Sequence, residues 1–155
     1  MANEVFRKTY EVTWDQQDPI GHLRGIALLN FVVNTQFSWI AHCGCGQDRL
    51  AQSGYDPIVL RLDARYHHEV LLGETVVDIL YLAGLAPDGS MWKTYHELIK
   101  ADGEKVATVK LEGTWFNWKT RKAVAPRKEL LEILNKLQRS SNFESMRSII
   151  RGPGR

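Results

Sequence analysis

Gly25–Gln47, GIALLNFVVNTQFSWIAHCGCGQ, runs for 23 residues without one Asp, Glu, Lys or Arg. A helix on a protein surface shows charge on its outer face at every turn, so a segment uncharged on all sides belongs in the middle of a domain or in a membrane. A spanning helix needs about 20 predominantly apolar residues, and this one is interrupted by Asn30, Asn34, Thr35, Gln36, Ser38 and His42. The pattern therefore predicts a buried central helix from Gly25 to His42, ended by Gly44 and Gly46, and no membrane span. A short helix, Gln47 to Gln52, follows before the Ser53–Gly54 turn.

The sequence on either side reads as strands. Glu4 to Trp14 alternates with the period of two that a half-buried strand requires. Further strands are read at Ile58–Val70, Glu74–Leu85, Met91–Lys100 and Lys105–Lys119, punctuated by Gly73, Pro87–Ser90 and Ala101–Gly103. Pro126 opens a C-terminal helix, Arg127 to Gln138, with Leu130, Leu131, Ile133, Leu134 and Leu137 at helical spacing. This order predicts an α+β fold in which a five-stranded antiparallel sheet wraps the central helix. The side of the helix that the sheet leaves open has no charges to face water, so the sequence predicts an oligomer.

Length and charge narrow the function classes. The chain has 155 residues and a formal net charge of +2, the size of one domain and too little positive charge for a nucleic-acid surface. The excess sits in residues 139–155, where Arg139, Arg147, Arg151 and Arg155 face only Glu144. The domain is accordingly set at 1–138, with 139–155 a basic, flexible tail lacking an anchor, although Met146, Ile149 and Ile150 allow a short amphipathic turn. Two cysteines, Cys43 and Cys45, are too few for a disulfide framework and read as reduced thiols. The N-terminus lacks a secretory h-region, so a cytoplasmic location is expected.

No G-x-S-x-G, P-loop, G-x-G-x-x-G or H-E-x-x-H is present. His42, Cys43 and Cys45 do not make a zinc set, and no metal or cofactor is expected. What remains is Trp14–Leu23, WDQQDPIGHL, directly before the central helix. A carboxylate at Asp18 placed beside the free N–H groups of a helix start suits acyl chemistry: it can attack an acyl carbon or activate water while an amide binds the developing oxyanion. Asp before Pro is equally ordinary turn chemistry.

The stretch DPIGHL (18–23), the helix reaching Ser38-Trp39, the segment LRLDARYHHEVLLGETV (60–76) and the closing VKLEGTWFNWKTRKAVAP (109–126) together resemble the hotdog-fold acyl-CoA thioesterases of the 4-hydroxybenzoyl-CoA thioesterase type, over residues 4 to 138. The resemblance implies thioester hydrolysis with Asp18 as nucleophile or general base, His22 four positions on, and the Gly25 amide as oxyanion donor. His22 either orients Asp18 or the thioester, or packs the helix start. Two departures stand out. Relatives often carry Asn-Asn where this chain has Arg24-Gly25, and glycine's freedom puts the preorganisation of the oxyanion site in question. The family's basic cluster for CoA phosphates falls on Asp88-Gly89-Ser90, leaving only Lys93 nearby. Trp39, Phe37 and Tyr66 either line an acyl tunnel or belong to the core. Arg61, Asp63, Arg65 and His67 share one face of a strand, either a solvated or interface face or a nucleotide-binding one. The implied substrate is an acyl-CoA or acyl-carrier-protein thioester and the implied assembly a homodimer or homotetramer. A non-hydrolytic acyl-thioester-binding protein on the same fold is the alternative, and a dehydratase lacks its characteristic histidine site here.

Overall fold

The computed structural model describes residues 3–150. The helix α1 spans Gly25–His42, the bounds its composition predicts, and α2 spans Gln47–Ser53. Gly54 closes α2 at φ 79°, a left-handed conformation that favours glycine. The strands are β1 (Phe6–Glu11), β2 (Tyr55–Tyr66), β3 (Thr75–Leu85), β4 (Met91–Lys100), β5 (Lys105–Asn117), β6 (Lys122–Val124) and β7 (Arg139–Ser145), with α3 at Lys128–Lys136.

The main path of the sheet is β1-β3-β4-β5-β2, antiparallel throughout. It is the five-stranded α+β arrangement read from the sequence, and its inner face holds α1. On β4, Trp92, Thr94, His96 and Leu98 are buried and their neighbours only partly so, the period of two made visible. Trp92 and Leu98 join Leu28, Val32, Trp39 and Ile40 of α1 and Leu130, Ile133 and Leu134 of α3 in one core. Two features keep the sheet tight around the helix. Register shifts at Val59/Arg61 and Leu82/Gly84 bend β2 and β3. At Gly113 a Cβ would overlap the Ile58 carbonyl and the Trp92 ring, so the close approach of β2 and Trp92 to β5 requires glycine there.

The expectation of an unanchored tail fails for residues 139–150. Arg139–Ser145 runs parallel to the second half of β3, pairing Leu82 with Arg139 and Gly84 with Glu144. Met146 then donates its N–H to the Leu85 carbonyl (3.0 Å), and Ser148 hydrogen-bonds Asp88 in the β3–β4 turn. Backbone pairing along an exposed strand edge needs no apolar periodicity, which is why RSSNFES gave no strand signal. The rest of the predicted tail, with Arg151 and Arg155, lies outside the described residues. The short β6, also unread in the sequence, folds back on β5.

The α1 stripe not covered by the sheet is exposed at Ile26 (71%), Val33 (39%) and Phe37 (48%), and β2 offers a free edge with Val59, Leu60 and Leu62 exposed beside it. No helix among the described residues is long and apolar enough to cross a membrane.

Candidate active site

The segment between β1 and α1 folds back on itself as a tight loop. Gln17 and Leu23 form an antiparallel bridge, the Asp18 N–H donates to the His22 carbonyl (2.7 Å), and the Gly21 N–H donates to the Asp18 carbonyl (3.1 Å). Gly21 sits at φ 83°, which the turn demands and glycine supplies. The Asp18 carboxylate completes this turn, Oδ1 accepting the N–H groups of Ile20 (3.0 Å) and His22 (2.9 Å). Asp18 thus satisfies the amides of its own turn rather than those of the helix. Its second oxygen, Oδ2, has no hydrogen-bond partner among the described residues.

Arg24 fastens this loop to the helix. Its N–H donates to the Gln16 carbonyl (2.8 Å), its guanidinium Nε to the Gln17 carbonyl (2.6 Å), and its own carbonyl accepts from Ala27 (3.0 Å) and Leu28 (3.3 Å). No side chain caps α1, and the N–H groups of Gly25 and Ile26 have no partner among the described residues. Two donors at the positive end of an 18-residue helix are therefore open to an anion or a developing oxyanion.

Tyr66 reaches the same turn from the end of β2, its hydroxyl donating to the Gly25 carbonyl (3.0 Å). Partial burial pushes the phenol above its ordinary pKa, so it is protonated and able to donate at neutral pH. The His22 ring turns the other way, with Nε2 3.6 Å from the Glu69 carboxylate, and only its backbone N–H contacts Asp18. Loop and helix start thus bring Asp18, His22, Gly25 and Tyr66 into one region.

Trp39 and Lys93 are not part of it. Trp39 is 1% exposed and packs against Phe6 and His42, ring centroids 5.4 and 6.1 Å away; it lies fourteen residues down α1, about 21 Å along the axis at the usual helical rise. Its place is the core. Lys93 stands between two carboxylates, Glu112 at 3.7 Å and Glu144 of β7, so its charge is already compensated. A groove of about 660 Å³ lined by Asn34, Phe37, Ser38, Cys45 and Leu50 also lies toward the far end of α1. It is apolar and roomy, but it holds none of the acid and amide groups of the loop.

Two relationships escaped the sequence reading. Glu69 beside His22 follows from the isolated bridge His22–Leu71, which draws the β2–β3 connection against the loop. Asp78 and His96 form a pair with neither side chain exposed, at 2.9 Å; the alternations Val76-Asp78-Leu80 and Thr94-His96-Leu98 carried that signal, since each puts a titratable residue in a buried row.

A curled antiparallel sheet around a central helix, with an acidic turn fastened to the helix start, defines a hotdog-fold protein. The chain belongs to the Thioesterase-like superfamily, whose model matches residues 12–134. Among solved structures it is similar to a hypothetical protein from Staphylococcus aureus in complex with CoA (TM-score 0.81, 18% identity, covering 91% of this chain and 90% of that one). It is also similar to a 1,4-dihydroxy-2-naphthoyl-CoA thioesterase from Synechocystis (0.77, 11%, 85% and 96%) and to a DHNA-CoA thioesterase from Staphylococcus aureus (0.77, 15%, 85% and 89%). No curated protein matches.

Proposed function

We propose that the chain hydrolyses acyl-CoA thioesters, releasing a free acid and CoA. The observation that carries this reading is the pairing of a fixed carboxylate with free helix amides: Asp18 held through Oδ1 with Oδ2 unpartnered, on a loop hydrogen-bonded to a helix whose first two N–H groups are open. In the reaction the Asp18 carboxylate attacks the thioester carbon, or takes a proton from the water that does, while the Gly25 N–H receives the carbonyl oxygen as it becomes an oxyanion. The C–S bond then breaks. A thiol of pKa about 8.5, with cysteine as the guide, leaves as thiolate without a strong general acid, so one carboxylate and one oxyanion site suffice. On the nucleophilic route, water afterwards hydrolyses the mixed anhydride and regenerates Asp18.

Acyl-CoA thioesters are the leading substrate form in this reading, with acyl-carrier-protein thioesters as the other. We further propose that the working unit is a homo-oligomer, a dimer or tetramer. The exposed stripe of Ile26, Val33 and Phe37 and the unpaired β2 edge support a second copy beside them, because apolar surface next to free strand edges favours association. Leu62→Lys with Phe37→Lys is expected to lower the mass measured by light scattering; an unchanged mass removes this surface from the interface.

Non-hydrolytic acyl-thioester binding is the second reading, favoured by the structural use of Asp18 Oδ1 and by the His22 ring facing Glu69. Short, long and aromatic acyl-CoAs and an acyl-carrier-protein thioester, assayed for released thiol, separate the two. Turnover supports the hydrolase, and binding with no thiol release from any substrate overturns it.

A further inference from the structure

The torsions of Gly25 decide where the oxyanion donors point, and glycine on its own leaves them loose. In this chain the peptide planes on both sides of the Gly25 Cα are held. The preceding plane, Arg24–Gly25, is fixed by its carbonyl, which accepts from the N–H groups of Ala27 and Leu28. The following plane, Gly25–Ile26, is fixed by its carbonyl, which accepts the Tyr66 hydroxyl at 3.0 Å from 41 residues away. Donation to that carbonyl also polarises the peptide and makes the Ile26 N–H on its far side a stronger donor. The phenol comes so close that a Cβ on residue 25 would stand 3.0 Å from the Tyr66 hydroxyl oxygen and 3.2 Å from its ring carbon Cζ. A side chain at 25 would therefore crowd the phenol, which must give by a few tenths of an ångström. The tyrosine supplies a restraint that glycine lacks.

We infer that Tyr66 is a positioning residue for the reaction, holding the first turn of α1 in the geometry in which its open amides meet the oxyanion. This inference rests on the thioester-hydrolase reading of the site. A positioning role acts on the transition state more than on substrate binding, so its loss lowers kcat and leaves KM little changed.

The test is a cycle of Tyr66→Phe, Gly25→Ala and the double variant, with kcat and KM measured on whichever acyl-CoA the wild type turns over best. Tyr66→Phe removes only the hydroxyl of a side chain that is 53% exposed, so the fold is retained, and thermal unfolding checks this. Its kcat is expected to fall roughly 10- to 100-fold, the scale of a small misplacement of catalytic groups. Gly25→Ala crowds the phenol by a few tenths of an ångström and is expected to show a smaller loss, and the double variant no more than Tyr66→Phe alone, because both changes act on one restraint. An unchanged kcat in Tyr66→Phe, or losses that multiply in the double variant, overturns the inference. Hydrogen exchange of residues 24–29 reads the clamp without catalysis: faster exchange in Tyr66→Phe supports it and unchanged exchange refutes it. If the wild type hydrolyses no thioester, the functional reading fails while this measurement still decides the clamp.

Discussion

His96 Nδ1 and the Asp78 carboxylate meet at 2.9 Å between adjacent strands β4 and β3, both side chains wholly buried. They lie in the rows that face α1. Near them Tyr10 bonds to Thr35 (2.8 Å) and to the Phe31 carbonyl (3.0 Å). Burial, with the Asp78 charge acting in the same direction and against the Thr35 bond, pushes the Tyr10 phenol up to about 12.

Removing one member of such a pair strands the other. Asp78→Ala and His96→Ala are each expected to cost about 3–5 kcal/mol, the usual penalty for an uncompensated buried partner. The double variant Asp78→Leu/His96→Phe is expected to be less destabilised than either single change, since no polar group is left without a partner. Urea unfolding of the three variants gives the answer. Additive losses would show that the two residues do not depend on each other.

Asp18 has two duties that substitution can separate. Asn at position 18 retains an oxygen to accept the Ile20 and His22 N–H groups and loses only the negative charge. Asp18→Asn is therefore expected to keep the wild-type unfolding midpoint and to lower kcat by about 10² or more. Asp18→Ala removes the turn acceptor as well and is expected to cost a further ~1–2 kcal/mol of stability. Steady-state kinetics beside thermal unfolding separates the effects, and near-normal turnover in folded Asp18→Asn would take Asp18 out of the chemistry.

Burial, then the nearby Glu4 carboxylate, pushes the Cys43 thiol up to about 11. Because the thiolate is the reactive form, Cys43 is expected to alkylate at neutral pH roughly a hundredfold more slowly than an ordinary thiol. The rate should climb until the pH passes about 11. Mass-resolved iodoacetamide labelling against pH follows this residue separately from Cys45. A rate plateau near pH 9 would contradict it.

What the sequence made legible follows from range. The ends of α1 agree to the residue because a run without charge and two terminal glycines are local facts, and the β3–β4 turn at Pro87–Ser90 was equally plain. Tyr66 against Gly25 spans 41 positions. Only the curl of β2 over the helix start makes that contact, so the sequence offers tunnel or core for Tyr66 and not a bond to Gly25. Trp39 is singled out by residue type and Lys93 by its nearness to the place of the family's basic cluster; packing puts the first in the core and pairs the second with Glu112 and Glu144. β7 is not legible in the sequence because it is a polar edge strand held at a few backbone points, with residues 140–143 unpaired to β3 between Arg139 and Glu144.

The attachment of that last segment depends on a carboxylate and so on pH. Burial pushes the Asp88 carboxyl up, but hydrogen bonds from the Ser148 and Ser90 hydroxyls and the Ser90 N–H outweigh it and hold the group below the usual range. A carboxyl whose folded value is depressed stabilises the docked state in full above its unfolded value, near 3.9, and loses that contribution as the pH falls through the folded value. The segment is expected to stay docked at neutral pH and to release only below about pH 4. Ile149, whose N–H donates to Ser90 Oγ at 3.2 Å, reports on docking. Its amide resonance should move with a midpoint below that of an ordinary aspartate. Ser148→Ala removes one of the bonds that hold Asp88 down, so the midpoint should rise toward the ordinary value. An equal midpoint in both proteins would mean that Asp88 does not hold the segment.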